Sequence, residues 1–195
     1  MIKKRMVNNE QGFSFVELMT VIGIIGILSA IALPNFLRSL PEKRLKNATR
    51  NLYADLQRAR LLAVKENRSV RVGFVTDDGD NPYNGNGNPV TSYYFEEDDE
   101  DSDEYRIRDS DELMKRLEEY GAVTYGCDAD GKPNVTFGNY DVEFTSTGTV
   151  VPTLGGTVYL QSQNDQDVCY RVAISRFGNI KIERFTTAWG DWKGE

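Results

Sequence analysis

Few residues in this chain are of a type and spacing that could carry out a reaction. It contains no His, the commonest general base and metal ligand, so a Ser-His-Asp triad is excluded. Cys127 and Cys169 lie too far apart for a redox CxxC and are too few for a cysteine zinc site. Hard oxygen ligands gather at Asp77, Asp78, Asp80, Asn81 and Asn84 around Gly79, and again in the acidic run from Glu96 to Glu104. Calcium is the ion such groups would hold, but the spacing is not that of an EF-hand loop. Solvated loops account for them, and no cofactor is expected. Gly85 to Asn88 lacks the strand-to-helix setting of a phosphate-binding loop. The paired acids fall in loops and give no support to glycoside hydrolysis. An enzyme is therefore not expected.

The remaining chemically unusual residue is Glu17. It stands at the edge of an uncharged stretch, Leu18 to Leu37. Twenty such residues form a helix of about 30 Å, enough to cross a bilayer. The preceding segment carries Lys3, Lys4 and Arg5 and should stay on the cytoplasmic side. A carboxylate at the centre of a span costs on the order of 2–3 kcal/mol, and less near the interface. Such a group normally has a partner, yet the apolar helix offers no Lys or Arg. A cut just before Phe13 would supply one, because it places a free ammonium one helical turn from Glu17. That ammonium could serve its own chain or a neighbour's Glu17. Competing readings are a secretory signal cleaved near Ser29, Ala30 or Ala32, a plain anchor, and a buried core helix. The length of the stretch and Glu17 itself disfavour the signal, and the basic leader and the length disfavour the core helix.

Gly12-Phe13-Ser14-Phe15-Val16-Glu17-Leu18 resembles the processing motif of type IV prepilins, and the likeness continues through Met19-Thr20-Val21-Ile22 to Pro34. The resemblance implies that a prepilin peptidase cuts after Gly12 and methylates the amine of Phe13, and that Glu17 guides subunit docking. Losing three basic residues and one acidic residue with the leader takes the net charge from -7 to -9. Gly23 and Gly26 allow close helix packing in lipid. Pro34 removes a backbone hydrogen bond and favours a kink.

Past Pro41, the residues Leu45, Ala48, Leu52, Leu56, Ala59 and Ala63 recur at three- and four-residue spacing, the mark of an amphipathic helix. Lys43, Arg44, Lys46, Arg50, Arg58, Arg60 and Lys65 lie between them and read as a solvated face. Period-two strands are predicted near Val70–Phe74, Thr91–Phe95, Ala122–Tyr125, Val135–Phe137, Val142–Phe144, Thr157–Gln161, Cys169–Ser175 and Ile180–Phe185. Asp109 and Glu112 suggest a capping box for a helix from Asp111 to Tyr120, and Gly178-Asn179 a two-residue hairpin turn. The sum is an α+β design, a long helix on mainly antiparallel sheet.

A second resemblance lies in Val142 to Thr149, Gly155 to Leu160 and Tyr170 to Lys181, with Leu56 to Ala63. These segments are similar to the domain of the GspH/FimT/FimU minor pilins and pseudopilins. The chain is thereby expected to be a structural subunit of a pilus or a type II secretion filament. Its parts would be a leader (1–12), a membrane or filament-core helix (13–38), an amphipathic continuation (39–66) and a periplasmic domain (67–195). Its partners would be the peptidase, other pilins, the inner-membrane assembly platform and the membrane itself. Some relatives bind DNA, and others are major adhesive pilins. Here Asn179 and Lys181 stand where DNA-binding members often carry Arg, and the acidic charge disfavours a nucleic-acid partner. In an oxidising periplasm Cys127 and Cys169 would form a disulfide closing a loop of about 40 residues. Two separate buried thiols fit the sequence as well.

Overall fold

A computed structural model of the chain describes residues 14–76, 92–97, 115–132, 134–151 and 155–195. It comprises two compact units, Met1–Ser39 and Leu40–Glu195. Helix α1 runs Phe15–Glu66, and its two halves obey different rules. From Phe15 to Leu37 every large apolar side chain is exposed, and the helix is long and apolar enough to cross a membrane. From Leu45 onward only a stripe is apolar. Leu45, Ala48, Leu52, Leu56, Ala59 and Ala63 are all buried. Three of these six are Ala, so sheet residues can approach the helix backbone closely on that face. Each Leu buried there contributes roughly 1.5–3 kcal/mol.

The second unit adds ten short strands among the described residues. They are β1 (Val70–Val75), β2 (Ser92–Glu97), β3 (Lys115–Arg116), β4 (Val123–Tyr125), β5 (Asp141–Phe144), β6 (Val150–Val151), β7 (Gly156–Ser162), β8 (Asp165–Ile174), β9 (Ile180–Thr186) and β10 (Trp192–Gly194). One sheet has the order β3-β2-β1-β5-β6 and the other β10-β9-β8-β7-β4. All pairings are antiparallel. The α1 stripe shares one core with Val72, Phe74, Phe144, Val158, Leu160 and Val172. Phe74 stacks on Phe137 with centroids 6.0 Å apart and meets the edge of Tyr125 at 6.3 Å. Gly73 pairs with Tyr94 across β1 and β2, and the Tyr94 ring occupies the space a Cβ on Gly73 would need. A glycine covered by a cross-strand aromatic keeps its packing without a side chain of its own.

The α+β fold of a long helix on antiparallel sheet is as the pattern predicts, and four local expectations change. Lys115–Arg116 is strand and Leu117–Tyr120 a 3-10 turn, so the described part of the expected Asp111–Tyr120 helix is not α-helical. Asp109, Asp111 and Glu112 lie outside the described residues. Val135–Phe137 contributes a single bridge, Val135 to Val158, because Thr157 N–H bonds the Thr136 hydroxyl at 2.7 Å in place of the Thr136 backbone carbonyl. β8 begins four residues before Cys169. The hairpin after it has a three-residue loop, Arg176–Gly178, since Ser175 N–H bonds the Asn179 carbonyl at 2.9 Å and Gly178 takes φ +74°. That is a type I turn closed by a left-handed glycine.

Cys127 and Cys169 form a disulfide with Cα atoms 5.7 Å apart and a sequence separation of 42. The bond is fully buried with Tyr159 and Phe185, and Trp192 packs against this cluster. Trp192 is held by an Nε1–H bond to Asp130 at 2.9 Å and by the Arg171 guanidinium 4.5 Å above its ring. In the chain-entropy account a loop of this size is worth roughly 4 kcal/mol. Urea unfolding of the full chain in detergent should show the Cys127→Ser, Cys169→Ser double variant less stable by about 3–4 kcal/mol. A loss below about 1 kcal/mol would remove the bond from the account of stability.

Three buried tyrosines set an alkaline limit. Tyr93 donates to Asp55 Oδ2 at 2.7 Å and Tyr125 to the Ser92 carbonyl at 2.7 Å. Burial pushes all three phenols up, Tyr170 to about 12, Tyr125 well above its ordinary value and Tyr93 further than Tyr170; the Asp55 carboxylate adds to the effect at Tyr93. A raised folded-state pKa means that the unfolded chain ionises first, near the ordinary value of 10.0. Stability from these groups is complete below pH 10 and is lost as pH climbs through 12. Denaturant titrations followed by circular dichroism should show this decline, and stability that held or rose above pH 10 would contradict it.

Candidate assembly site

The first turn of α1 contains Glu17. Leu18 N–H bonds the Ser14 carbonyl at 3.1 Å, so the helix is regular from its start. A carboxylate in the first turn lies near the positive end of the helix dipole. Thr20 returns its hydroxyl to the Val16 carbonyl at 2.8 Å, which satisfies that polar group without a partner chain. Gly23 and Gly26 have nothing within 4 Å of where a Cβ would stand. The helical assignment passes through Pro34 without a break. Gly12 and Phe13 lie outside the described residues. The arrangement is a helix with its whole apolar circumference uncovered and one acid in its first turn. Such a surface needs lipid or other helices around it.

In the second unit most of the α1 cations stay exposed, as a solvated face requires, while Lys46 and Arg60 are partly buried and used otherwise. Arg60 is half-buried and donates from Nε to the Gly148 carbonyl at 3.0 Å and from Nη2 to the Phe177 carbonyl at 3.4 Å. Those carbonyls belong to two hairpins of the same design. Thr145 N–H bonds Thr149 and Gly148 N–H bonds Thr145, as Ser175 N–H bonds Asn179 and Gly178 N–H bonds Ser175. Both loops end in a glycine at φ +74°. A Cβ on Gly178 would strike the Gly148 carbonyl, so the two turns touch. Val150 N–H then bonds the Arg176 carbonyl at 3.1 Å, which links the two sheets. Arg44 packs beneath Gly121. Lys46 pairs with Glu195, and Arg184 of β9 with Glu42. Arg58 and Lys65 are exposed.

Asn179 and Lys181 are also exposed and line an open depression of about 460 Å³ with Gly155, Gly156 and Phe177. The expected calcium ligands Asp77 to Asn84 lie outside the described residues. So does most of the acidic run; Glu96 and Glu97 fall in β2. Among the described residues no group of three or more acidic or Cys side chains could hold a metal. Sequence reading missed Arg60 and Trp192. The repeated Thr-Ser-Thr-Gly and Ser-Arg-Phe-Gly turns were the available signal for the first. Nothing in the sequence pointed to Trp192 as the cover of the disulfide.

Residues 48–178 match the family described as Type II transport protein GspH, and residues 7–33 match the prokaryotic N-terminal methylation motif. The type IV major pilin protein PilA of Myxococcus xanthus (strain DK1622) is 48% identical over 44 residues, 23% of this chain and 20% of that protein. The matched part thus spans about a fifth of the length of that curated relative. Among solved structures, the type IV minor pilin FimU of Pseudomonas aeruginosa is similar at 18% identity and a TM-score of 0.45, over 73% of this chain and 90% of that one. The minor pseudopilin EpsH of the Vibrio cholerae type 2 secretion system is similar at 13% identity and a TM-score of 0.49, over 71% of this chain and 95% of that one. With two thirds of its length matched, this chain belongs to the GspH family and carries that family's domain behind an N-terminal methylation motif.

Proposed function

We propose that this protein is a structural subunit, a minor pilin or pseudopilin, of a type IV pilus or type II secretion filament. The observation that carries the reading is Glu17 in the first turn of an uncovered apolar helix, inside a matched methylation motif. Residues 1–12 are the leader, cut after Gly12 by a prepilin peptidase, and Phe13 receives the methyl group. Residues 13–38 span the inner membrane once and later join the filament core, with Pro34 as a point of helix deformation. The basic leader keeps the N-terminus cytoplasmic, which puts residues 67–195 in the periplasm. There the compartment maintains the disulfide. The partners are neighbouring pilins and the inner-membrane assembly platform, and the work is mechanical rather than catalytic.

The mechanism follows from cost. In lipid, the carboxylate of Glu17 is expensive, and the ammonium of a processed chain is its natural counter-charge. An incoming subunit brings that ammonium to Glu17 of a chain already docked. The pair then forms away from water, where the attraction is far stronger than at a surface. Mass spectrometry of protein made beside a prepilin peptidase should find an N-terminus at Phe13 with one methyl group. An intact Met1 would reduce the protein to an anchored domain. Glu17→Ala should leave cleavage complete while sharply lowering recovery in sheared filaments; normal recovery would remove Glu17 from docking.

A further inference from the structure

The Cys127–Cys169 bond is enclosed on the side of its sheet away from the main core. Cys169, Phe185 and Trp192 are direct partners across β8, β9 and β10, so their side chains share one face. Val168, Tyr170 and Val172 alternate with Cys169 along β8 and enter the core shared with α1 on the other face. The bond therefore relies for its burial on a small cluster of its own, Tyr159 and Phe185 with Ala129 and Trp192 packed against them. Both cysteines are nonetheless 0% exposed. A disulfide is opened by a thiolate that reaches one of its sulfurs, and in this state neither sulfur is within reach.

The walls of this enclosure differ in strength. One is the turn from Cys127 to Lys132, tied to β7 by a reciprocal pair: Asp128 N–H donates to Gln161 Oε1 at 2.7 Å and Gln161 Nε2 to Asp128 Oδ2 at 2.9 Å. Tyr159 and Phe185 stand on strands with neighbours on both sides. The last wall is β10, which is three residues long, lies at the sheet's edge and pairs with β9 alone. Its Trp192 is clasped from both limbs of the bond. Asp130, in the turn after Cys127, accepts from the indole at 2.9 Å. Arg171, on the strand of Cys169, lies 4.5 Å from the ring centroid. The strand's end is fastened twice: Glu195 N–H bonds the Ile182 carbonyl at 3.2 Å, and the Glu195 carboxylate pairs with Lys46 of α1.

We infer that β10 is a releasable strap, and that its docking on β9 and α1 decides whether a thiol can reach the disulfide. A short edge strand held by a partly exposed ion pair opens at a fraction of the cost of unfolding the domain. Release lifts Trp192 off the cluster and uncovers the sulfurs while the core shared with α1 stays intact. A dithiol reductant then reacts. Its thiolate bonds to one cysteine sulfur as the S–S bond breaks, and the other cysteine leaves as a thiolate. The second thiol of the reductant displaces the first cysteine. Two electrons pass to the protein, the reductant becomes a disulfide, and the cysteine thiolates take up the protons it loses. The reverse sequence forms the bond, so oxidation also requires an undocked strap. Lys46 thereby controls the chemistry of a bond on the far face of the sheet. The inference goes beyond the filament reading and does not depend on it.

The test uses the oxidised full chain in detergent with excess dithiothreitol, in urea from zero to the foot of the unfolding transition. Aliquots quenched with N-ethylmaleimide are weighed, and two adducts mark a reduced bond. The wild-type reduction rate should be nearly independent of urea over that range, because release of the strap exposes little surface. Trp192→Ala should raise the rate roughly tenfold or more. Lys46→Glu and Glu195→Lys should each raise it about twofold to fivefold, and the two together should return it toward wild type. Leu52→Val, which weakens the core shared with α1 and leaves β10 untouched, should not change it. The inference is overturned by a wild-type bond that stays oxidised until the domain unfolds, or by a rate that climbs with urea as steeply as unfolding does. It is equally overturned by Trp192, Lys46 and Glu195 variants that are reduced no faster than wild type, or by a double variant no slower than the singles. Circular dichroism before reduction checks that each variant is folded; where one is not, the wild-type urea series decides.

Discussion

One helix must satisfy two solvents, and most of the molecule follows from how α1 does so. Its first half is apolar all round, which suits lipid or a bundle of like helices and nothing in water. Its second half is apolar on a stripe alone. That stripe, from Leu45 to Ala63, is the surface on which both sheets condense. Without the sheets the stripe would be exposed, and without the stripe the sheets would have no common core. The domain is therefore not an independent module attached to an anchor. The anchor's own continuation is one of its layers, so a force on the apolar half has a covalent route into the core.

Arg60 completes this arrangement at the far end of the stripe. Two loops distant in sequence come to the same guanidinium, and each presents a backbone carbonyl. The glycines at 148 and 178 make that approach feasible, since any larger residue would bring side-chain atoms into the shared space and strain a left-handed backbone. The bond from Val150 to Arg176 then carries one sheet into the next. A long polar side chain has become the joint between layers that apolar packing alone would leave free to slide.

How much of this was legible depended on range. The apolar run, the Glu17 spacing and the Leu45–Ala63 stripe are local patterns of period 3.6, and they were read directly. The alternating strands from Val142 to Phe185 were read for the same reason. The failures were tertiary. Lys115–Arg116 pairs with β2 because Tyr93 and Ser92 are there to receive it, whatever helix signal the acids around it carried. Five of the seven helix cations do form an exposed face; Lys46 and Arg60 depart from it because their acceptors, Glu195 and the Gly148 and Phe177 carbonyls, lie up to 149 residues away. β10 is three residues long and gains its place from Trp192 on the disulfide cluster rather than from any strand pattern. Of the assembly site, Glu17 was visible as a charge out of place, while Gly12 and Phe13 were visible only through resemblance.

The second half of α1 is fastened in two grades. Near Leu40 the ties are ionic, Glu42 to Arg184 and Lys46 to Glu195, both partly open to solvent and so weakened by salt. At the far end Arg60 binds carbonyls, which neither titrate nor trade places with dissolved anions as a carboxylate does. A rise in ionic strength loosens the first grade and spares the second. The segment ahead of Leu45 is then held less firmly, while the buried stripe and Arg60 stay in place. Such a domain yields elastically at the end nearest its anchor and keeps its distal geometry, as a leaf spring clamped at one end does.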